Sequence, residues 1–321
     1  MAEIDQVSTM ILIPVTLLLV AVTMNIVSSA VEAQLVDNFY VSHGCPEAES
    51  LVAAAVTKAI FQNETNAPGL LRMHFHDCFV NGCDGSVLID SPSEKDAIPN
   101  LTLHGFEVID SAKAAVEKAC PGIVSCADIL ALAAQISVEI VSTPSHRVPT
   151  GRRDGLVSLA SEVHLPSPTS TVATLASDFA AVGLSVAQMV ALSDAHTIGV
   201  AHCSAFANRL SPTVDSTLNP IFAALLETEC PSGSTETVNL AVTTPTKFDK
   251  FYYLNLRANK GLLTSDQELQ SNPSTSGFVN ANSFFPTFAA NFRNAIIAMG
   301  NINVLTGTAG NIRLNCRKFN S

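Results

Sequence analysis

Basic residues are scarce in this 321-residue chain: 17 Lys and Arg stand against 28 Asp and Glu, for a formal net charge of −11. With no Lys/Arg tract in the sequence, the electrostatic footprint of a nucleic-acid-binding protein is missing. Beyond residue 33 no apolar run approaches the ~20 residues that span a bilayer. The chain has no HExxH pattern, which removes the usual helix-borne signature of a zinc hydrolase. It also lacks internal repeats and low-complexity tracts, which argues against solenoids and extended linkers. Strand signals are confined to two short stretches, ETVNLAV and NVLTG.

What the chain does contain begins with MILIPVTLLLVAVTM (Met10–Met24), an apolar run of 15 residues. It is too short to span a bilayer, and small residues follow it, with VEA before Gln34. Residues 1–33 therefore read as a secretory signal peptide, although Glu3 and Asp5 are the only charges in its leading segment. An uncleaved signal anchor is the other reading. Cleavage after Ala33 leaves residues 34–321, with 17 basic residues against 25 acidic ones. In an oxidising compartment the eight cysteines, all beyond the signal, read as four disulfides. Cys78 and Cys83 as half of a zinc site is the alternative.

Helical periodicity dominates the rest. SCADILALAAQISVEIV opens with Ser125 and carries Asp128 three residues on, a capping-box spacing that SVAQMVALSDAH repeats with Ser185 and Gln188. TVATLASDFAAVG stops at Gly183, and PTFAANFRNAIIAMG runs from Pro286 to Gly300. GFEVIDSAKAAVEKAC sets Phe106, Ile109, Ala112 and Val116 on one apolar face. LPSPTSTV (Leu165–Val172) reads as the connector between two helical halves. The expected fold is all-α, with few short strands.

LLRMHFHDCFVNG reaches a helix end at Asn81-Gly82. Arg72 and His76, four apart, then share a face, while His74 points elsewhere. The two histidines would not meet on one metal. Arg72 with His76 reads as a cationic donor beside a titratable base, with a structural hydrogen-bonding pair as the plainer alternative. His196, in VALSDAHTIGVAHC, follows a capped apolar helix. It reads either as satisfied by a backbone carbonyl or as a metal ligand oriented by a carboxylate. DCFVNGCDGSVLID offers Asp77, Asp84, Ser86 and Asp90 as hard oxygen donors, which suits calcium although the spacing is not that of an EF-hand. Solvated surface acids are the alternative. Asp266, in GLLTSDQEL, reads as a helix N-cap. Arg147, Arg152 and Arg153 beside Asp154 read, with Asp128, as structural salt bridges.

Taken in order, LLRMHFHDCFVNGCDGSVLID, EKDAIPN, VSCADILALAA, RVPTGRRDG, LPSP, AHTIG, TPTKFD, GLLTSDQEL and LTGTAGNIRLNC resemble the secretory plant (class III) haem peroxidases, from Gln34 nearly to the C-terminus. The resemblance implies an all-α fold whose distal and proximal helical halves enclose one haem b. Under it His76 is the distal base, Arg72 the distal cation, Phe75 the shield of the haem edge and Asn100 the acceptor for the other nitrogen of His76. His196 becomes the axial ligand of the haem iron and Asp266 the carboxylate on its second N–H. Pro166 offers a carbonyl to aromatic donors. The implied disulfides are Cys45–Cys120, Cys78–Cys83, Cys126–Cys316 and Cys203–Cys230. Two calcium sites are implied. The distal one takes Asp77, Val80, Gly82, Asp84 and Ser86, with Glu94 linking it to Asn100. The proximal one takes Thr197, Thr244, the Lys247 carbonyl and Asp249.

The implied activity is reduction of hydrogen peroxide to water, with phenolic or similar aromatic donors oxidised in one-electron steps. It would belong to a monomer secreted to the apoplast or cell wall, free of membrane once the signal is cleaved. Several positions depart from the family pattern. Ala241 stands where an aspartate is usual, which weakens the proximal calcium. Asp194 replaces a glycine and sets a charge close to the axial ligand. His146 replaces a tryptophan, and Gly69 and His202 stand where polar residues approach the haem propionates. Of the two sequons, Asn63 is the expected glycan site, while Asn100 should be buried and unmodified. The rival from another class is a catalytically impaired, secreted calcium- or carbohydrate-binding protein that keeps the fold. A zinc hydrolase comes third.

Overall fold

The computed structural model describes residues 34–142 and 147–321; the expected signal segment and His146 lie outside the described residues. Twelve α-helices and two three-residue strands make up the regular structure there, so the fold is all-α. The first half holds α1 (Phe39–Ser42), α2 (Ala48–Gln62), α3 (Asn66–Cys78), α4 (Phe106–Ala119) and α5 (Cys126–Val141). The second holds α6 (Val172–Ala181), α7 (Val186–Leu192), α8 (Pro220–Glu229), α9 (Phe251–Arg257), α10 (Thr264–Ser271), α11 (Pro273–Asn282) and α12 (Phe285–Met299). Strand β1 (Val200–His202) pairs antiparallel with β2 (Thr237–Asn239), inside ETVNLAV. NVLTG forms no strand: Leu305 makes a single bridge to Arg153.

Two apolar cores meet along α3 and α5. One gathers Val52 and Val56 of α2, Ile109 and Val116 of α4, and Ile129 and Leu130 of α5. The other gathers Leu175, Met189, Val190, Tyr253, Phe288 and Phe292 from the second half. Leu70 and Met73 of α3 enter the first core, while Leu71 and Cys78 enter the second. Helical spacing thus splits the apolar side chains of α3 between two sides and leaves one strip for polar groups. A third cluster, with Phe206, Phe222 and Leu226, lies under the β-pair. Disulfides join Cys45–Cys120, Cys78–Cys83, Cys126–Cys316 and Cys203–Cys230. All eight cysteines are consumed, so no thiolate remains for zinc.

Buried ion pairs hold the two halves in register. Arg152, 1% exposed, pairs with Asp128 at 2.8 Å and donates twice to the Gly300 carbonyl. That pair is one of the structural salt bridges expected, and it corrects the reading of Asp128 as a capping-box residue. Ser125 Oγ accepts the Asp128 N–H, but the Asp128 carboxylate does not complete the capping box. It accepts instead from Arg152, Tyr40 and the Gly151 N–H. Gly300 has an ordinary φ of −64°, and its value is space: a Cβ there would lie 3.0 Å from Arg152 Nη2. The partner of Asp154 is the fully buried Arg313 rather than a neighbouring arginine. The Ser185–Gln188 box forms in full at the start of α7, and Gly183 closes α6 at φ +80°.

Candidate active site

Helix α3 carries the first part of the site. Its apolar residues face the two cores, and Arg72 and His76 share the remaining strip. Both turn toward residues 98–102. Arg72 donates to the Pro99 carbonyl at 2.9 Å and to Thr102 Oγ1 at 3.0 Å. His76 Nδ1 lies 2.6 Å from Asn100 Oδ1, and Asn100 Nδ2 donates to the Glu94 carbonyl at 2.8 Å. The Glu94 contact fixes the amide with its oxygen toward the ring. His76 Nδ1 therefore donates, and the lone pair sits on Nε2. Burial, and then the Arg72 charge, push the pKa of His76 down to about 3, against a partial offset from Asn100. The imidazole is neutral at ordinary pH. Phe75 stands edge-on to His76 with ring centres 5.6 Å apart. His74 is buried on another face of α3, its ring 3.6 Å from Cys78 Sγ.

The second part comes from the 3₁₀ turn Ser193–Thr197 that follows α7. His196 Nδ1 lies 2.8 Å from Asp266 Oδ1. Asp266 is the third residue of α10, not its N-cap, which is Leu263; its Oδ2 accepts the Leu263 N–H, and Oδ1 also accepts from Tyr252 Oη at 2.9 Å. Burial acts to lower the pKa of His196, but the Asp266 charge and hydrogen bond outweigh it and the pKa is raised. The His196 side chain remains 38% exposed beside a carboxylate that is 3% exposed. Among the described residues its Nε2 has no hydrogen-bond partner. Helix α3 and the 193–197 turn are neighbours, and the Arg72 charge acts on both His76 and His196. Arg72 is exposed, while the protein packed behind it lowers its pKa.

Two further contacts lock this arrangement. Gly199, at φ +89°, lies against Pro68 at the start of α3, where a Cβ would come within 2.9 Å of the proline. Leu165, beside Pro166 in the connector, packs on the same core as Phe75 and Ala195. Pro166 itself is half-buried, and the Pro168 carbonyl accepts the Ser265 N–H of α10.

The loop after α3 concentrates acid. Asp77, Asp84, Ser86 and Glu94 are all buried, and Val80 and Gly82 lie between the disulfide partners. Asp77 accepts from the N–H groups of Gly85 and Val87, and Asp84 accepts from that of Ser86. Gly155 has no room for a Cβ, which would collide with Asp84 Oδ2. Both oxygens of Glu94 and the Ser86 hydroxyl are buried without a hydrogen-bond partner. Burial lifts the pKa of Glu94 to about 8; the hydroxyls of Ser86 and Ser158 pull it down, though neither reaches its carboxylate in hydrogen-bond geometry, Ser158 Oγ accepting the Glu94 N–H instead. Asp77 and Asp84 are raised by burial as well, and the Asp84 charge adds to the rise of both Asp77 and Glu94. Asp90 sits apart on the surface with Lys95 and Arg317. In the second half, Thr197 Oγ1 donates to the carbonyls of Lys247 and Asp249, and Thr244 Oγ1 donates to Asp249 Oδ1.

The peroxidase family model matches residues 52–283 of this arrangement. The chain belongs to the peroxidase family. It is 50% identical over 311 residues to Peroxidase 5 of Vitis vinifera, covering 92% of this chain and 94% of that protein. It is 46% identical over 305 residues to Peroxidase 64 of Arabidopsis thaliana, covering 89% and 94%. Against Peroxidase 66 of Zea mays the identity is 46% over 307 residues, covering 94% and 95%. The class III resemblance carried by the motifs thus extends over most of the chain. Peroxidase membership implies haem and calcium in general, with hydrogen peroxide and a reducing substrate as reactants. The relatives favour a working peroxidase over the impaired shell, and with the disulfides they are consistent with secretion.

Two features of this peroxidase site lay beyond the sequence reading. Tyr252 gives Asp266 a second donor, and the only hint of it is the aromatic pair in FYYLNLR. Asp194 is fully buried with both carboxylate oxygens unpartnered, which its place in LSDAH does not reveal.

Proposed function

We propose that this chain is a haem peroxidase that reduces hydrogen peroxide to water and oxidises phenolic or similar small aromatic donors in one-electron steps. One observation carries the proposal. Two imidazoles, each held through Nδ1 by a polar partner, stand on neighbouring elements and both feel the Arg72 charge. The fit to haem b rests on His196, whose partly exposed ring leaves Nε2 available for the iron while Asp266 and Tyr252 fix the other side. When bound, haem supplies the electrons that break the O–O bond and recovers them singly from the donor.

The side chains supply positioning and proton transfer. Neutral His76 takes a proton on Nε2 from one peroxide oxygen and delivers it to the other, so that water leaves instead of hydroxide. Arg72 stabilises negative charge on the departing oxygen. Asn100 holds the ring in the tautomer that keeps Nε2 free, Phe75 shields the edge of the group, and the Pro166 carbonyl receives the donor.

The Asp77, Val80, Gly82, Asp84 and Ser86 loop, backed by Glu94, fits a calcium ion. Buried carboxylates with unpartnered oxygens are costly without a cation, and the donor set is all oxygen. A second site at Thr197, Thr244, the Lys247 carbonyl and Asp249 lacks a carboxylate at Ala241. Chelation should therefore destabilise the protein. If calcium is present at about a hundred times its Kd, removal costs about 2.7 kcal/mol, a fall of roughly 4–5 °C in Tm that added calcium reverses. A Tm that ignores chelator would count against both sites.

The purified protein, expected to be a monomer cleaved after Ala33 and delivered to the apoplast or cell wall, should carry a Soret band that shifts when hydrogen peroxide is added. Haem without a shift would favour the impaired calcium- or carbohydrate-binding alternative. A folded, oxidised sample that takes up no haem would overturn the proposal. Asn63 is exposed, next to the Thr65 of its sequon, and should carry glycan; Asn100 is 3% exposed and bonded on both sides, and should carry none. Peptide mass spectrometry finding sugar on Asn100 would remove that residue from the His76 network.

A further inference from the structure

We propose that Asp194 is a ligand of the second cation site, supplying the carboxylate that position 241 lacks. The inference rests on the peroxidase reading of that site and adds a residue to it.

Asp194 is 0% exposed, and neither of its carboxylate oxygens has a hydrogen-bond partner. The polar side chains nearest in sequence and space are already engaged. Tyr252 donates to Asp266, and Tyr253 donates to the Val190 carbonyl while accepting from Asn282. A carboxylate buried this way is stable only when neutralised or facing a cation.

The backbone decides which way Asp194 faces. Residues 193–197 form a 3₁₀ turn, in which side chains three apart eclipse each other. Asp194 therefore shares a face with Thr197, and His196 points off it. Thr197 sends its hydroxyl to the Lys247 and Asp249 carbonyls. Asp249 is also the one neighbouring charge that acts appreciably on Asp194. Leu240 donates its N–H to the Gly199 carbonyl, which lays buried Ala241 alongside the same turn. A carboxylate projecting from position 194 on one wall can thus stand in for one missing from position 241 on the other. With Asp194 and Asp249 the site holds two carboxylates against a divalent ion, alongside hard hydroxyl and carbonyl oxygens of the kind calcium takes in sixes to eights.

The test counts bound calcium on the haem-loaded protein. Samples are saturated with calcium chloride, passed into calcium-free buffer and assayed by atomic emission, with haem absorbance and its response to peroxide recorded on the same material. Wild type should hold about two ions per chain, and Asp194→Asn about one. Because that variant could be poorly folded, the double variant Asp194→Gly with Ala241→Asp moves the carboxylate across the site and should restore about two. Wild type with a single ion, unchanged calcium in Asp194→Asn, or a double variant that stays at one would each overturn the proposal. A protein that shifts its Soret band but gives any of those counts sinks the role of Asp194 alone. A protein without haem sinks the peroxidase reading, and its calcium counts still decide Asp194.

Discussion

Replacing His76 with alanine should slow the reaction with peroxide by about 10²–10⁴-fold while haem remains bound, because only the proton carrier is removed. Stopped-flow absorbance on the purified variant measures this directly, and near-wild-type kinetics would show that another group moves the proton. The pH profile follows from the same ring. A base works when neutral, and burial with the Arg72 charge lowers the pKa of His76 from 6.5 to about 3. The rate constant should therefore stay flat from neutral pH down to about 5 and lose about tenfold per unit once pH falls below about 3. An inflection near 6.5 would mean that the ring titrates like a solvated histidine. Replacing Arg72 by alanine removes the second cause of the shift, so the fall should move to higher pH as well as starting from a lower plateau.

The second large effect is on stability. Asp128→Ala should destabilise the fold by about 3–5 kcal/mol, since it leaves the Arg152 guanidinium buried without its counter-charge. The Gly151 N–H and the Tyr40 hydroxyl lose their acceptor in the same step. At this chain length the loss corresponds to a fall in Tm of roughly 5–8 °C by differential scanning calorimetry. A change under about 1 kcal/mol would mean that water replaces the carboxylate, as at a surface pair.

Local signals in the sequence reach α3 to α7 and α12 but not the other helices. Caps at Ser125 and Ser185, the stop at Gly183 and the apolar spacing of α4 all lie within a turn or two of what they control. Strand β1 escaped notice because three residues give no period to read. The site divides along the same line. Arg72 and His76 are four apart and could be placed on one face from spacing alone. His76 and Asn100 are 24 residues apart, and His196 and Asp266 are 70 apart, distances over which periodicity carries no information. Only the resemblance could pair them beforehand. Asp194 was read by its distance in sequence from His196, as a charge near the axial ligand. Its full burial without a hydrogen-bond partner is what the sequence does not reveal. Arg152 does pair with Asp128, as the sequence reading expects, although 24 residues separate them; what that reading misses is Arg313 as the partner of Asp154.

The end of the chain is stitched into its beginning. Arg313 donates to the Gly85 carbonyl at 2.5 Å, Cys316 bonds Cys126 across 190 residues, and Arg317 grips Asp110. Translation must deliver all three before the amino-terminal half has its full set of bonds. A nascent chain that has not yet reached Arg313 therefore holds an amino-terminal half still short of these bonds.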